Sequence, residues 1–398
     1  MTPIGSRAGR ERRRVFLYGL VIGVAVAFGI AVLVNALFGP FGGGDAASEA
    51  RTTIEQNYFR KVSGSSLENS SIQGMVRALR HRYSDRFTRY LNPKRLDQFE
   101  SDTSGEFTGI GLTVMRAHRG LRVASAIPGT PAKRAGIRAG DLIVAAGGRS
   151  LAGRSTASAV SLIEGPAGTS VALRIVPAGA GKPRALRVRR AKVQVPAVQG
   201  VMRRDAGRKV AYVRFSTFSV GAHGELRDAI DRLWAHGAKG LVLDLRGNGG
   251  GLLNEAVLSA SVFLPKGERV VETSSRTQGH RVYKALGDPA SPRPIVVLVD
   301  HDTASAAEIL TSALSEHHLA TVVGTRTFGK GTFQQAIDLP AGGALDLTIG
   351  RFYTANGTST LDNGIRPEVH AADNRRTKRD EALAKALAVL VPKLRTSG

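Results

Sequence analysis

Two short runs leave the chain almost no choice of environment: Gly240-Leu241-Val242-Leu243-Asp244-Leu245 and Pro294-Ile295-Val296-Val297-Leu298-Val299. Each is apolar at successive rather than alternate positions, so a strand built from it must be covered on both faces. Val210–Phe215 reads as a further strand, followed by an amphipathic helix over Glu225–Leu233. Such alternation predicts an α/β layer with functional loops at the C-terminal ends of its strands. Two more strands, Phe333–Leu339 and Ala344–Tyr353, are joined at Gly342-Gly343, and a helix carrying Leu383, Leu387 and Leu390 closes the chain. No internal repeat is visible.

At 398 residues there is room for two or three domains, and 42% apolar with 22% charged residues is ordinary for globular protein. The absence of cysteine excludes disulfides, thiolate catalysis and sulfur-ligated zinc, and the nine histidines show no HExxH or paired spacing, so neither a metal nor another cofactor is expected. A net charge of +24 raises the question of nucleic acid. The most basic stretch, Lys182 to Lys192, reads instead as an edge strand whose charges alternate with Ala, Leu and Val, without aromatics on which bases could stack. No nucleic-acid partner is expected; anionic lipid or wall polymer suits a basic protein held near a membrane.

Val15–Val34 is an uncharged run of 20 residues, enough to cross about 30 Å of hydrocarbon as a helix. Arg7, Arg10, Arg12, Arg13 and Arg14 precede it, which predicts a cytoplasmic tail (1–14), a single-pass anchor (15–38) at the cell membrane and an extracytoplasmic body. A cleaved signal peptide ending near Asp45-Ala46-Ala47-Ser48 is the rival reading. Gly39-Pro40-Phe41-Gly42-Gly43-Gly44 forms a linker (39–45). A small helical subdomain follows (46–103), with helices over Ala46–Tyr58 and Ser71–Leu79, the latter presenting Ile72, Met75, Val76 and Leu79 on one face. Tyr83 to Pro93 reads as a packed loop, with Asn92-Pro93 as a turn.

The next block carries Gly105-Glu106-Phe107-Thr108-Gly109-Ile110-Gly111, the strand Leu121–Ala126, a short helix over Pro131–Ala135 and the turn Ala139-Gly140-Asp141 before another strand. It resembles a PDZ domain, completed by the strand Val171–Val176 and ending near residue 192 (104–192). The resemblance implies that the loop Thr108, Gly109, Ile110, Gly111 offers backbone N–H groups to a terminal carboxylate while the peptide adds as a strand.

In the remaining block (193–398) Ser305 follows the strand ending at Val299 and opens an Ala-rich helical stretch. A helix start favours negative charge, and the Ala306 N–H points where the hydroxyl does, as half of an oxyanion hole. The same position is also that of an ordinary N-cap. Lys330 lies between two glycines with Phe328 and Phe333 near in sequence. It can act as a base near neutrality only if desolvated. Gln334, four residues on, can accept a hydrogen bond from the amine and aim it at Ser305. The cluster Arg246-Gly247-Asn248-Gly249-Gly250-Gly251-Leu252, straight after a buried strand, frees backbone N–H groups for an oxyanion and matches neither a Walker A loop nor GxGxxG.

Taken in order, Ile72-Gln73-Gly74-Met75, the Gly105–Gly111 loop, the PDZ-like block, Leu243-Asp244-Leu245-Arg246, Thr303-Ala304-Ser305-Ala306, Phe328-Gly329-Lys330-Gly331 and Gly364-Ile365-Arg366-Pro367 resemble the C-terminal processing, or tail-specific, proteases. The resemblance runs from about residue 46 to the end. It implies a mixed α/β fold, with a crotonase-like core beside a PDZ domain that recognises apolar C-terminal tails of protein or peptide substrates. It also implies a serine endopeptidase with Ser305 as nucleophile, Lys330 as general base and Gln334 as its orienting partner. Ala306, Gly250 and Gly251 are then the oxyanion donors, and assembly into a homo-oligomer is open. The chain departs from the family's usual Asn-Pro-Gly-Gly at Asn248-Gly249-Gly250-Gly251, and Ala307 replaces a common serine. Two other readings compete. One is a Ser-His-Asp hydrolase drawing on His301, Asp302, His317 or His318, although G-x-S-x-G is absent. The other is a non-catalytic PDZ scaffold at the membrane.

Overall fold

The computed structural model describes residues 46–394 except 180, 288, 358–360, 375 and 378. The expected tail, anchor and linker (1–45) lie outside the described residues, among which no helix is long and apolar enough to cross a membrane. The chain divides after Leu79 into two compact units. In the first, the helix Ala46–Asn57 and the start of the helix Gly64–Tyr83 are linked by an Arg51–Glu68 ion pair at 3.6 Å. The face expected to be buried on the second helix is mostly not: Val76 is buried, whereas Met75 is 62% and Leu79 42% exposed.

The second unit holds three sheets of five or more strands. The central one runs in the order Val198–Asp205, Arg208–Phe215, Leu241–Asp244, Ile295–Val299, Ala320–Gly324, Val369–His370, with the first pair antiparallel and the rest parallel. Every residue of Leu241–Asp244 and Ile295–Val299 is buried, because the two faces pack against different layers. Leu241, Leu243, Val297 and Val299 join a core with the helices Ala222–Ala235, Leu253–Ser261 and Ala306–Glu316. Val242, Val296 and Leu298 meet Leu383, Ala386 and Leu390 of the closing helix Glu381–Lys393. That helix is tied to the end of strand Leu241–Asp244 by Arg246, which bonds Asp244 (2.7 Å), Asp373 (2.8 Å) and Asp380 (2.9 Å).

A five-stranded antiparallel sheet combines Arg89–Leu91, Ala344–Tyr353, Arg269–Ser275 and Gly279–Lys284, with Thr332–Asp338 also paired to Ala344–Tyr353. The segment read as a loop with a turn at Asn92-Pro93 therefore contributes a strand, Arg89–Leu91, and Asn92 is the N-cap of the helix Pro93–Ser104, accepting from Arg95 N–H at 3.0 Å. Proline at the first helical position gives up an N–H that has no partner there anyway.

The third sheet, Leu112–Ala117, Gly120–Ala126, Leu142–Ala146, Ser170–Val176, Arg184–Arg189 in that order, has its own core of Ile110, Val123, Ile143, Ile175 and neighbours, with short helices Pro131–Arg134 and Thr156–Val160. A two-stranded ribbon, Glu106–Gly109 with Ala191–Gln194, brings the two ends of this module together. Thr108 and Gly109 are thus ladder residues, and Ile110 is buried. Gly111, at φ 82°, turns the chain into the edge strand Leu112–Ala117. The N–H groups of Ile110 and Gly111 find no acceptor among the described residues.

Candidate active site

Ser305 stands at the start of the helix Ala306–Glu316 with φ 55° and ψ −116°, a backbone conformation that costs a non-glycine residue energy and persists only when its surroundings impose it. Here they do. Thr303 Oγ1 donates to Leu245 O (2.9 Å), Gly247 N–H to Asp300 Oδ1 (2.9 Å) and Ala304 N–H to Asn248 O (2.9 Å), stitching together the loops that follow two neighbouring parallel strands. Ser305 ends 8% exposed.

The two glycines expected to serve an oxyanion have different environments. Gly250 N–H donates to Oδ1 of the fully buried Asn248 (2.9 Å), whose own amide is held by Phe215 O (2.8 Å). Gly250 is also pressed against the serine turn: a Cβ there would lie 2.8 Å from Ala304 O and 2.9 Å from both Ala306 N and Ser305 Cβ. Its contribution is therefore steric. Gly251 pairs with Phe218, and its N–H, like that of Ala306, has no acceptor among the described residues. Both residues line a cavity of about 530 Å3 together with Ser305, Lys330 and Gln334. Gly250→Ala should cost about 2 kcal/mol or more of stability and most of the activity, because the new methyl group displaces the serine turn. A melting curve and a cleavage assay check this, and an unchanged melting temperature would contradict the crowding.

Lys330 is partly buried, and desolvation pushes its amine below the ordinary lysine value, with help from nearby Arg89. Asp346 and Glu308 pull the other way. Nζ sits 5.0 Å from the centre of the Phe87 ring and has no hydrogen-bond acceptor among the described residues. Asp346 and Arg89 are paired at 3.0 Å, so removing one unmasks the other. Asp346→Asn should shift the ascending limb of the pH–kcat/KM profile to lower pH and Arg89→Gln to higher pH. Shifts of the same sign would show that Lys330 does not set that limb.

Gln334 donates through Nε2 to Thr348 Oγ1 (3.0 Å) and Thr332 Oγ1 (3.3 Å), which leaves its Oε1 as the end able to receive an amine. Thr348 Oγ1 in turn bonds Asp85 Oδ1 (3.1 Å), and Thr348 N–H bonds Thr88 Oγ1 (3.0 Å). Burial raises the Asp85 pKa, but hydrogen bonds from the Thr88 hydroxyl, the N–H groups of Phe87 and Thr88 and the Thr348 hydroxyl outweigh it, so Asp85 stays below the usual carboxylate range. None of Asp85, Phe87 or Arg89 was legible as a site residue in the sequence.

Glu308 was also missed. It is fully buried and accepts from Ser305 N–H (2.8 Å), Lys330 N–H (2.9 Å), Gly329 N–H (2.8 Å) and Thr327 Oγ1 (2.5 Å). One carboxylate thereby fixes the serine turn and the lysine loop to each other. Its signal was present: Ser305-x-x-Glu308 has the spacing of a capping box.

The histidine reading finds no geometry. His301 is exposed and faces Asp302 (3.3 Å), His317 bonds Arg269 O (2.8 Å), and none of His301, His317 and His318 lines the Ser305 cavity. The grouping of potential metal ligands found among the described residues, Asp300, His301 and Asp302, leaves both His301 and Asp302 exposed, and Asp300 Oδ1 already receives Gly247 N–H.

Peptidase family S41 matches residues 209–371 and a PDZ domain matches residues 122–177. The carboxy-terminal processing protease CtpA of Bacillus subtilis is 35% identical over 82% of this chain and 68% of its own length. A carboxy-terminal-processing protease of Bartonella bacilliformis is 37% identical over 76% of this chain and 69% of its own. Among solved structures, one assigned as an S41 protease from Bacteroides fragilis shares the fold at a TM-score of 0.53 and 16% identity, over 88% of this chain and 98% of that one. The chain belongs to the carboxy-terminal processing proteases of peptidase family S41, serine-type peptidases that carry a PDZ domain.

Proposed function

We propose that Ser305 attacks the peptide carbonyl of an unfolded substrate tail while the neutral amine of Lys330 takes the hydroxyl proton. The proton then passes to the leaving amine, the acyl-enzyme forms on Ser305 Oγ, and water hydrolyses it with Lys330 again as base. The N–H groups of Gly251 and Ala306 receive the oxyanion, and Gln334 Oε1 aims the amine. The observation that carries this reading is a desolvated lysine lining the same cavity as a serine held in a strained turn at a helix start. Mass spectrometry of a peptide with an apolar C-terminus tests it. Wild-type chain should cut the peptide and Ser305→Ala should leave it whole; cleavage by Ser305→Ala would overturn the assignment.

In the PDZ domain, the N–H groups of Ile110 and Gly111 receive the substrate's terminal carboxylate, and the edge strand Leu112–Ala117 pairs with the residues before it. The crotonase-like description of the core belongs to the same proposal. So do the anchor at residues 15–38, the extracytoplasmic position of the body and a homo-oligomer. The arginines before the apolar run support the anchor, and Met75 and Leu79 on an uncovered helix face support self-association. Full-length chain should sediment with membranes and a chain lacking 15–38 should not; equal partition of both would rule out the anchor.

A further inference from the structure

The basic stretch singled out in the sequence has a definite place. Arg184–Arg189 is the terminal strand of the PDZ sheet, at the edge opposite Leu112–Ala117. Between it and the helix Pro131–Arg134 runs a groove of about 530 Å3, and five of its eleven lining residues are cationic: Arg134, Arg187, Arg189, Arg190 and Lys192. No acidic residue lines it. Lys192 lies 4.0 Å from Glu106, but none of the four arginines has an ion-pair partner among the described residues.

Three of these guanidinium groups are fixed in advance. In Arg134 a terminal nitrogen donates to Gly129 O. Arg189 donates through Nε to Gly168 O (3.1 Å), and Arg190 through Nε to Ile163 O (2.7 Å) and through a terminal nitrogen to Thr169 Oγ1 (2.9 Å). Bonds to neutral carbonyls orient the charge without cancelling it. The strand edge supplies a second, independent feature. Arg190 N–H donates to Thr169 O and Arg190 O accepts from Gly168 N–H, so its backbone faces the neighbouring strand. Backbone groups alternate in direction along a strand, which turns those of Arg187 and Arg189 outward, where no strand of this sheet covers them.

We propose that this groove docks an extended acidic peptide segment, which adds as a strand along Arg187 and Arg189 while its carboxylates meet the arginines. A peptide fits better than a phosphate polymer because the open edge presents both N–H and C=O groups, and a phosphodiester has no donor for the latter. The groove adjoins the Thr108–Gly111 loop, because Lys192 and Ala191 pair with Thr108 and Gly109, but neither Ile110 nor Gly111 lines it, so it holds a part of a bound chain other than its terminus.

Fluorescence anisotropy tests this with full-length chain carrying Ser305→Ala, so that nothing is cut. The probe is a labelled peptide of alternating Glu and Thr with an amidated C-terminus, which disengages the carboxylate loop. The expected results are at least tenfold weaker binding when Gln replaces Glu in the probe, and the same loss in the exposed-site double variant Arg187→Gln with Arg189→Gln. Arg187→Pro removes an outward N–H that the fold does not use, so it should weaken binding at least threefold beyond Arg187→Gln. Equal binding by Arg187→Pro and Arg187→Gln would overturn strand addition. Undiminished binding by the double variant, or binding of linear polyphosphate or phosphatidylglycerol vesicles in place of the peptide, would overturn the acidic-peptide assignment.

Discussion

Lys330→Met should lower kcat/KM for a tail peptide by about 10⁴-fold, the loss expected when a general base is removed and only binding and oxyanion stabilisation remain. The same variant should be no less stable than wild type at neutral pH. Desolvation is the largest influence on this amine and lowers its pKa, so in the folded state the proton is held less tightly than in the unfolded chain. The cost of the buried charge is fully present below the folded pKa, and stability rises with pH between the folded and the unfolded value. Replacing the amine by an apolar group of similar shape removes that cost, so the variant's melting temperature should exceed wild type's near pH 7. The difference should shrink as pH approaches the ordinary lysine range. A variant that lost activity and melted lower at neutral pH would indicate a lysine serving the fold rather than the reaction.

Glu308→Gln should be severely damaging although it is nearly isosteric. Both oxygens of Glu308 accept, one from Ser305 N–H and Lys330 N–H, the other from Gly329 N–H and the Thr327 hydroxyl. A glutamine can offer one oxygen only, and in either orientation its NH2 faces at least one backbone N–H. Unpaired buried groups cost about 1–3 kcal/mol each, so a loss of roughly 3–5 kcal/mol is expected, together with a fall in kcat larger than any rise in KM. The kcat effect follows because the carboxylate sets the distance between the serine turn and the lysine loop. Thermal melts and steady-state kinetics check both parts, and wild-type kcat in Glu308→Gln would refute the clamp.

The parts of this site that local pattern specifies were legible. Successive apolar residues announced the buried strands at Leu241–Asp244 and Ile295–Val299, and a serine after such a strand and a short polar loop announced the turn at a helix start. The glycines after Arg246 announced close approach of backbone, but not its direction. Gly250 and Gly251 look alike in sequence, and it is the side chain of Asn248 that takes one N–H and leaves the other. Segment 85–91 was misread because its meaning lies in contacts such as Arg89 with Asp346, 257 residues away, which no local periodicity encodes. The strand Ala320–Gly324 was missed for a different reason: as Ala-Thr-Val-Val-Gly it has only two strongly strand-forming apolar residues, and its place is set by pairing with Ile295–Val299. The Glu308 clamp was readable from its Ser-x-x-Glu spacing, but only as a cap; its reach to Gly329 and Lys330 is tertiary.

Everything proposed for catalysis depends on Lys330 being uncharged when Ser305 reacts. The most direct measurement is an NMR titration of the Lys330 amine in chain labelled at lysine, run beside the pH profile of kcat/KM in the same buffer. The account predicts an amine that titrates below the ordinary lysine range, with an activity limb rising at the same pH. An amine that stays protonated throughout the range in which the enzyme cuts at full rate would contradict it.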